Sequence, residues 1–109
     1  MSKFYDEIAL YYNDIFPVQE EKLNLILEQL PSIPSDILDV ACATGGYAIE
    51  LASLGHQLTA VDLDARMIQE LKDKNTGIDA RVMNMLDIDS LNKTFDLIYC
   101  FKLLIMTGF

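Results

Sequence analysis

The sequence predicts an α/β fold, a three-layer sandwich in which helices cover the faces of a mostly parallel sheet. Two observations predict it. From residue 36 onward, short apolar segments typical of strands alternate with segments whose apolar residues have helical spacing. A helix between two strands returns the chain to the start of the next strand, so this alternation indicates a parallel sheet. In addition, a turn of small residues, "ACATGG" at 41–46, joins the first strand to the helix after it.

Two helices are predicted before the sheet. Apolar residues recur every three or four positions in segments 2–16 and 18–30, which is the spacing of a helix with one buried face. Pro17 separates the two segments, because proline removes a backbone donor and disrupts a helix interior. The stretch "PSIPSD" at 31–36 ends the second helix.

Four strands and two further helices are predicted next. The strands cover residues 37–41, 57–63, 79–85 and 95–101. The helix at 45–55 ends at Gly55, which can adopt the left-handed conformation common at helix C-termini. Asp64 can cap the helix at 65–75 through its side-chain oxygen. The polar stretch 87–94 is predicted as a loop with room for a short helix.

Composition limits the organisation and the partners. We expect a single domain, with N-terminal helices at 1–35, a sheet-containing core at 36–101 and a divergent tail at 102–109. The net charge is −9, from 17 acidic and eight basic side chains. Such a charge repels phosphate backbones, so a small molecule is favoured over a nucleic acid as partner. The apolar runs are too short for a membrane span, and the acidic N-terminal stretch is unlike a signal peptide. We therefore expect a cytoplasmic protein with no membrane partner.

The cysteines and the histidine predict no metal site. Cys42 and Cys100 do not form a close pair of the kind that binds metal, and free thiols are expected without a secretion signal. His56 is the single histidine and directly follows Gly55, at the amino end of the second strand. We expect it to be a surface turn residue, remote from any ligand.

Three features predict a nucleoside site at the carboxyl edge of the sheet, where ligands bind in folds of this class. The small residues of "ACATGG" let a ligand approach the backbone, and the helix N-terminus after them offers free N–H groups. Asp62 closes the second strand, where an acid can accept both hydroxyls of a ribose. Asp87 follows the third strand and can accept a hydrogen bond from an adenine amine.

The stretch "LDVACATGGYAIELASLGHQLTAVDLD" resembles the class I S-adenosylmethionine-dependent methyltransferases, whose first strand ends in D-x-G/A-C-G-T-G and whose second strand ends in an acid. "MLDI" is similar to the family's adenine-reading segment and "FDLIYC" to its fourth strand. The resemblance covers residues 1–101. It implies a Rossmann-like fold and S-adenosyl-L-methionine as the cofactor.

The resemblance also implies a set of cofactor-binding residues that are spread over four strand ends. By this similarity, Asp39 positions the methionine amino group, and Tyr12 forms part of a lid over the ligand. The remaining implied contacts are Ala41, Ala43 and Gly45 along the methionine and ribose, Asp62 at the ribose hydroxyls, Leu63, Leu86 and Asp87 at the adenine, and Cys100 and Phe101 near the sulfonium. No residue is assigned as a catalytic base.

The sequence departs from the family in two places. Ala43 stands where the family usually has glycine. The family's sheet has about seven strands in the order 3-2-1-4-5-7-6, whereas only four are predicted here. We therefore expect a truncated domain, the cofactor-binding half, that shows no turnover alone because the acceptor side of the site is missing.

Two other readings stay open at this point. A protein that binds NAD would share the ribose acid and a G-x-G-x-x-G turn, which "ACATGG" fits loosely, although Asp39 and the C-x-T-G run fit the methyltransferases better. The chain could also be a non-catalytic half-domain that associates with itself. In the truncated sheet the fourth strand would form an edge without proline or lysine before Lys102, so we expect a homodimer through this strand or the tail.

Overall fold

A computed structural model describes residues 3–31 and 33–101 of the chain, so the predicted tail lies outside the described residues. The first helix, α1, is Lys3–Ile15 and the second, α2, is Glu20–Gln29. Two acidic residues, Glu20 and Glu21, occupy the first turn of α2, where a carboxylate interacts favourably with the helix dipole. This explains why α2 begins at residue 20, two positions later than predicted. None of the described helices is long and apolar enough to cross a membrane.

The sheet contains four parallel strands in the order β3-β2-β1-β4. Their bounds are Asp36–Val40 for β1, Gln57–Asp62 for β2, Asp79–Val82 for β3 and Leu97–Tyr99 for β4. Helix α3, Gly46–Ser53, connects β1 to β2, and helix α4, Ala65–Asp73, connects β2 to β3. The predicted α/β fold is therefore confirmed. The strand order reverses between β1 and β4, the place where sheets of this type bind ligands.

Alternation along the strands divides the core between the two faces of the sheet. One face carries Ile37 and Leu58, which pack with buried residues of α2, α3 and α4. The other face carries Leu38, Val40 and Val61. Neighbouring residues of one strand point to opposite faces, so each strand contributes to both cores.

The predicted third strand is too long. β3 ends at Val82, and Met85–Leu91 forms a 3₁₀ helix instead. The side chain of Asn84 accepts a hydrogen bond from the backbone N–H of Leu86 at 2.9 Å, which caps this helix and ends the extended segment. β4 is also shorter than predicted, at three residues. The 3₁₀ helix occupies most of the stretch where the sequence left room for a short helix.

The prediction that His56 lies on the surface is wrong. The imidazole is buried, and its Nδ1 accepts a hydrogen bond from the backbone N–H of Ser35 at 3.1 Å. His56 directly precedes β2 and Ser35 directly precedes β1. The two residues are neighbours because the backbone N–H of Gln57 donates a hydrogen bond to the carbonyl of Ser35. The side chain therefore satisfies a backbone donor at the amino edge of the sheet, the edge opposite the predicted ligand site.

Gly45 is the residue that allows α4 to approach the loop after β1. Its φ is +78°, and a Cβ at this position would lie 2.6 Å from Cδ1 of Leu71. Leu71 is fully buried in the core, so its side chain has little space into which it could move. Both the backbone conformation and the packing at this position require glycine.

We expect Gly45→Ala to lower the free energy of unfolding by roughly 2 to 4 kcal/mol, because left-handed strain and overpacking against Leu71 add together. Gly77→Ala is the matched control, since Gly77 has a φ of +80° and open space around it. The control should cost only about 1 kcal/mol, the strain alone. Urea denaturation of both variants measures the difference. Equal losses would show that Leu71 moves aside at no cost.

Candidate functional site

The loop between β1 and α3 is held in an unusual backbone conformation. Ala41 and Ala43 both have left-handed φ values, 58° and 53°, and Gly45 follows at 78°. A left-handed conformation costs a residue with a side chain about 1 to 2 kcal/mol. Hydrogen bonds offset this cost: the N–H of Cys42 donates to the carbonyl of Val61 at 3.0 Å, and the N–H of Gly45 to the carbonyl of Cys42 at 2.9 Å.

The carboxylate of Asp62 joins this loop to the end of β2. One oxygen accepts from the N–H of Ala43 at 2.8 Å, and the other accepts from the N–H of Asp64 at 2.9 Å. Asp62 is buried. Asp64 in turn caps α4, since its side chain accepts from the N–H groups of Arg66 and Met67. Asp62 therefore fixes the loop and the start of α4 together.

A cleft opens beside the loop, at the carboxyl ends of β1 and β4, and is called the inner cleft here. Its cavity volume is about 160 Å³. Its polar and aromatic lining residues, from α1, α2, α3 and the sheet, include Tyr12, Phe16, Lys22, Asp39, Tyr47, Tyr99 and Phe101. The N-terminal helices thus form one wall of this cleft, and the strand ends form the other.

Asp39 is a buried carboxyl that lines the inner cleft. The Tyr99 hydroxyl donates a hydrogen bond to its Oδ2 at 2.7 Å. Burial raises the pKa of Asp39 from 3.8 to about 7; the Tyr99 hydrogen bond opposes this rise, and the charge of Asp62 adds to it. No lysine, arginine or histidine in the described part of the chain makes an ion pair with Asp39. The cleft therefore contains negative charge that lacks a bonded cation.

The two tyrosines nearest this charge keep their protons at neutral pH. Burial raises the pKa of the Tyr99 hydroxyl, and the nearby Asp39 raises it further. Burial also raises the pKa of Tyr12, and the charges of Asp62 and Asp39 act in the same direction. Both hydroxyls are therefore hydrogen-bond donors in this cleft and are poorly suited to accept a proton.

A second concavity, called the outer groove here, lies at the carboxyl ends of β2 and β3. Its volume is about 700 Å³, and it is lined by Leu63, Leu86 and Asp87 among others. Leu63 is 68% exposed and Leu86 is 82% exposed. Two large apolar side chains thus face solvent in a groove that also carries a carboxylate, an arrangement suited to a flat ring with polar edges.

Comparison with known proteins identifies the family. The family described as "Methyltransferase domain" matches residues 37–108, which include β1, the "ACATGG" loop and the later strands. The chain belongs to the methyltransferase domain family. Sequence comparison with curated proteins finds no match.

Solved structures agree with this assignment. A TehB-like SAM-dependent methyltransferase from Corynebacterium glutamicum has a TM-score of 0.71 and 25% identity, over 90% of this chain and 53% of that one. A second structure is described as "Conversion of a Disulfide Bond into a Thioacetal Group during Echinomycin Biosynthesis". It has a TM-score of 0.69 and 28% identity, and the match covers 92% of this chain and 47% of that one. Coclaurine N-methyltransferase, bound to N-methylheliamine and SAH, shares the fold at 17% identity and a TM-score of 0.63. This match covers 73% of this chain and 26% of that one.

The methyltransferase domain described here spans about a fifth to a half of the solved structures that it matches. The sheet order found here, β3-β2-β1-β4, is the order that the resemblance implies for the first four strands. The structure therefore contains the strands whose carboxyl ends carry every site residue predicted from the sheet.

The structure places most of the predicted site residues in the two concavities of this methyltransferase domain. The inner cleft is lined by Tyr12, Asp39, Ala41, Ala43 and Phe101. The outer groove is lined by Leu63, Leu86 and Asp87. Asp62 lies between them, because it is bonded to Ala43 of the cleft and precedes Leu63 of the groove.

Besides Asp62, two predicted residues line neither concavity. Gly45 is buried against Leu71, as described above. The side chain of Cys100 packs on the opposite face of the sheet, against the cluster of Leu38 and Val40. Strand alternation explains this, because Tyr99 and Phe101 point to the cleft side and the residue between them points away.

The small residues of the loop have two different uses. The prediction assigned the first small residue to a tight turn and the others to close approach of a ligand. A Cβ on Gly46 would lie 2.9 Å from Cγ2 of Val18, so protein atoms occupy the space beside both glycines of the loop. The methyl group of Ala43, at the usual glycine position, packs with Ala9 of α1 and Met67 of α4. The departure from the family pattern thus helps to seat α1 on the loop.

Sequence reasoning missed several residues of the inner cleft, among them Lys22, Tyr47 and Tyr99. Tyr99 could have been found, since the predicted strand 95–101 places it on the same face as Phe101. Tyr47 directly follows the loop motif and was also within reach of the pattern. Nothing in the sequence indicated that Lys22 lines the cleft. The spacing of apolar residues in α2 predicts which side of that helix is buried, but it does not predict the contacts of the residues on its other sides.

Asp39 makes a testable contribution to stability. Its folded pKa of about 7 lies above its ordinary value of 3.8, so protonation favours the folded state. The contribution of the protonated carboxyl to the free energy of unfolding is complete below about pH 4 and is lost as the pH rises through 7. The total loss is about 4 kcal/mol. Asp39→Asn keeps an oxygen for the Tyr99 hydroxyl and removes the titration. We expect the variant to gain stability relative to wild type between pH 4 and pH 8.

Thermal unfolding across this pH range measures the effect. Asp89→Asn, in the exposed 3₁₀ helix, is the matched control and should follow the wild-type profile. If the unfolding temperatures of Asp39→Asn and wild type changed with pH in parallel, Asp39 would be ionised in the folded protein throughout the range, contrary to its burial.

Proposed function

We propose that this chain binds S-adenosyl-L-methionine at the carboxyl edge of its sheet, as the cofactor-binding part of an enzyme that methylates a small molecule. The observation that carries the proposal is the buried Asp39 carboxyl, which lines the inner cleft without a bonded cation. A methionine group brings an ammonium that can supply this cation. The family membership of the chain supports the same ligand.

The inner cleft suits the methionine end of the cofactor. An ammonium close to Asp39 would favour the ionised carboxylate and lower its pKa, since an opposite charge stabilises the charged form. Ala41 and Ala43 line the cleft from the loop side. Tyr12 lines the same cleft from α1, which is the position that a lid residue requires.

The outer groove suits the adenosine end. Leu63 and Leu86 would lose exposed apolar surface against an adenine ring, a gain of roughly 25 cal/mol for each Å² buried. Asp87, in the 3₁₀ helix, offers oxygens that accept from the adenine amine. Asp62 uses one lone pair of each oxygen on Ala43 and Asp64, and the remaining lone pairs would accept from the ribose hydroxyls.

The residues of the chain would position the cofactor and leave the reactivity to it. The sulfonium, when bound, supplies an activated methyl group. Asp39, Asp62 and Asp87 would orient the molecule at three points along its length. Phe101 and Tyr47, whose ring centroids are 4.9 Å apart, would shield the cleft from water. Alignment of the methyl group with an acceptor accounts for much of the rate that such an enzyme reaches.

A small molecule fits as the acceptor better than a nucleic acid does. The net charge of the chain is −9, and repulsion between this charge and a phosphate backbone weakens association at every orientation. The inner cleft adds the buried carboxyl group of Asp39, and Asp62 is buried at the same edge of the sheet. Both features favour a compact acceptor that carries no high negative charge.

We expect S-adenosylhomocysteine to bind the purified chain in calorimetry, and Leu63→Ser to weaken binding by about 1 to 2 kcal/mol, because the variant removes apolar surface that adenine would cover. Leu54→Ser is the matched control, since Leu54 is also exposed and lies at the C-terminus of α3, outside both concavities. The control should bind as wild type does.

The absence of any heat or thermal shift at millimolar S-adenosylhomocysteine would contradict the proposal. Tighter binding of NADH than of S-adenosylhomocysteine would replace it with a dinucleotide site. Equal weakening in the Leu63 and Leu54 variants would place the ligand elsewhere on the chain.

We also propose that the chain forms a homodimer through β4. In the described sheet, β4 pairs with β1 on one side only, and Ile98 at its centre is 51% exposed. An edge strand of this kind presents unpaired backbone groups and no charged side chain at its midpoint. A second copy of the same strand satisfies these groups through a two-fold axis.

We expect Ile98→Lys to convert a dimer into a monomer, because a lysine on an edge strand opposes pairing with another strand. Val82→Lys is the matched control on the other edge strand, where Val82 is 53% exposed. Light scattering after size-exclusion chromatography measures the mass of each. A wild-type monomer at tens of micromolar, or a dimer that both variants retain, would refute pairing through β4.

A further inference from the structure

Lys22 occupies a special place in the inner cleft. Among the described residues that line this cleft, it is the single lysine or arginine. It is half-buried, and it forms no salt bridge within the described part of the chain. Its ammonium lies 5.5 Å from the centroid of the Phe101 ring. A cation in such a position is attracted to the ring face by about 0.5 to 1 kcal/mol.

An aromatic cluster connects Lys22 to Asp39. Phe101 packs against Tyr99 with a centroid separation of 5.2 Å, and the Tyr99 hydroxyl donates to Asp39 at 2.7 Å. Tyr47, in α3, packs against Phe101. Its hydroxyl oxygen accepts a hydrogen bond from the backbone N–H of Gln19 at 3.0 Å. Gln19 directly precedes α2, so the same cluster fixes the start of the helix that carries Lys22.

The cleft therefore presents one basic and one acidic side chain at two ends of one packed cluster. A ligand that carried only an ammonium would satisfy Asp39 and leave Lys22 unused. A ligand that carried only a carboxylate would meet the negative charges of Asp39 and Asp62. A free α-amino acid group carries both charges, so one such group offers a partner of opposite charge to each of the two side chains.

We propose that Lys22 binds the carboxylate of the amino-acid end of the ligand, while Asp39 pairs with its ammonium. This inference rests on the proposed function and names the residue that makes the inner cleft selective for an intact amino-acid group. The interaction of Lys22 with Phe101 is weak enough to be replaced, or supplemented, by a charge-assisted hydrogen bond, which is roughly twice as strong as a neutral one. Lys22 is thus a specificity-determining residue contributed by α2.

The experiment compares two ligands that differ at this end. S-adenosylhomocysteine carries the amino-acid group, and 5′-methylthioadenosine lacks it. Lys22→Met should weaken binding of S-adenosylhomocysteine about tenfold, which corresponds to about 1.4 kcal/mol. Binding of 5′-methylthioadenosine should stay unchanged, because its adenosine part would occupy the outer groove. Lys22→Arg should restore most of the affinity for S-adenosylhomocysteine.

Lys93→Met is the matched control. The Lys93 ammonium also lies 5.5 Å from a phenylalanine centroid, that of Phe95, and it is not among the residues that line the inner cleft. The control removes the same charge and the same type of contact, together with the ion pair between Lys93 and Asp36 at 3.5 Å, and should leave both affinities unchanged.

Three outcomes would overturn the inference. Lys22→Met could bind S-adenosylhomocysteine as wild type does, which would refute the role of Lys22 and leave the proposed function standing. It could weaken both ligands equally, which would show that Lys22 supports the fold of the cleft. Wild type could bind neither ligand, which would refute the proposed function and this inference together.

Discussion

The carboxylate of Asp62 is the contact on which the candidate site depends. It accepts hydrogen bonds from Ala43 in the loop after β1 and from Asp64 before α4. The first bond holds Ala43 in a left-handed conformation that a residue with a side chain adopts at a cost. The second places Asp64, which caps α4. Met67, in the first turn of α4, then packs with Ala43 and with Ala9 of α1. One buried carboxylate thus links two strands and two helices around the loop.

The loop shows that small residues serve two separate needs. Gly45 and Gly46 leave space for Leu71 and Val18 of the protein itself. Ala41 and Ala43, which are the residues with strained φ values, line the inner cleft. Close packing against protein side chains therefore restrains the same loop that lines the inner cleft. A site that must hold a ligand closely benefits from this restraint, because a rigid loop needs no ordering when the ligand binds.

Negative charge in the cleft links stability to the proposed ligand. Asp39 and Asp62 are both buried at the same edge of the sheet, and the charge of Asp62 disfavours the ionised state of Asp39. The folded chain therefore carries an electrostatic cost at neutral pH that a bound cation would relieve. Lys22 lies over Phe101 at the other end of the aromatic cluster and forms no salt bridge among the described residues. Functional sites commonly hold such perturbed groups.

The sequence by itself determined the α/β class, the four strands and the loop motif, because these depend on the spacing of apolar residues along the chain. It also predicted that Asp62 and Asp87 lie at one edge, since the carboxyl ends of parallel strands lie together in any such sheet. The family resemblance added Asp39, Leu63 and Leu86 to that prediction. Tertiary structure decided the rest. Asn84 ended β3 with a side-chain cap, and His56 was buried by a neighbouring strand entry. Lys22 entered the cleft because α2 packs beside it, and the surroundings of an exposed helical residue depend on contacts that local spacing does not encode.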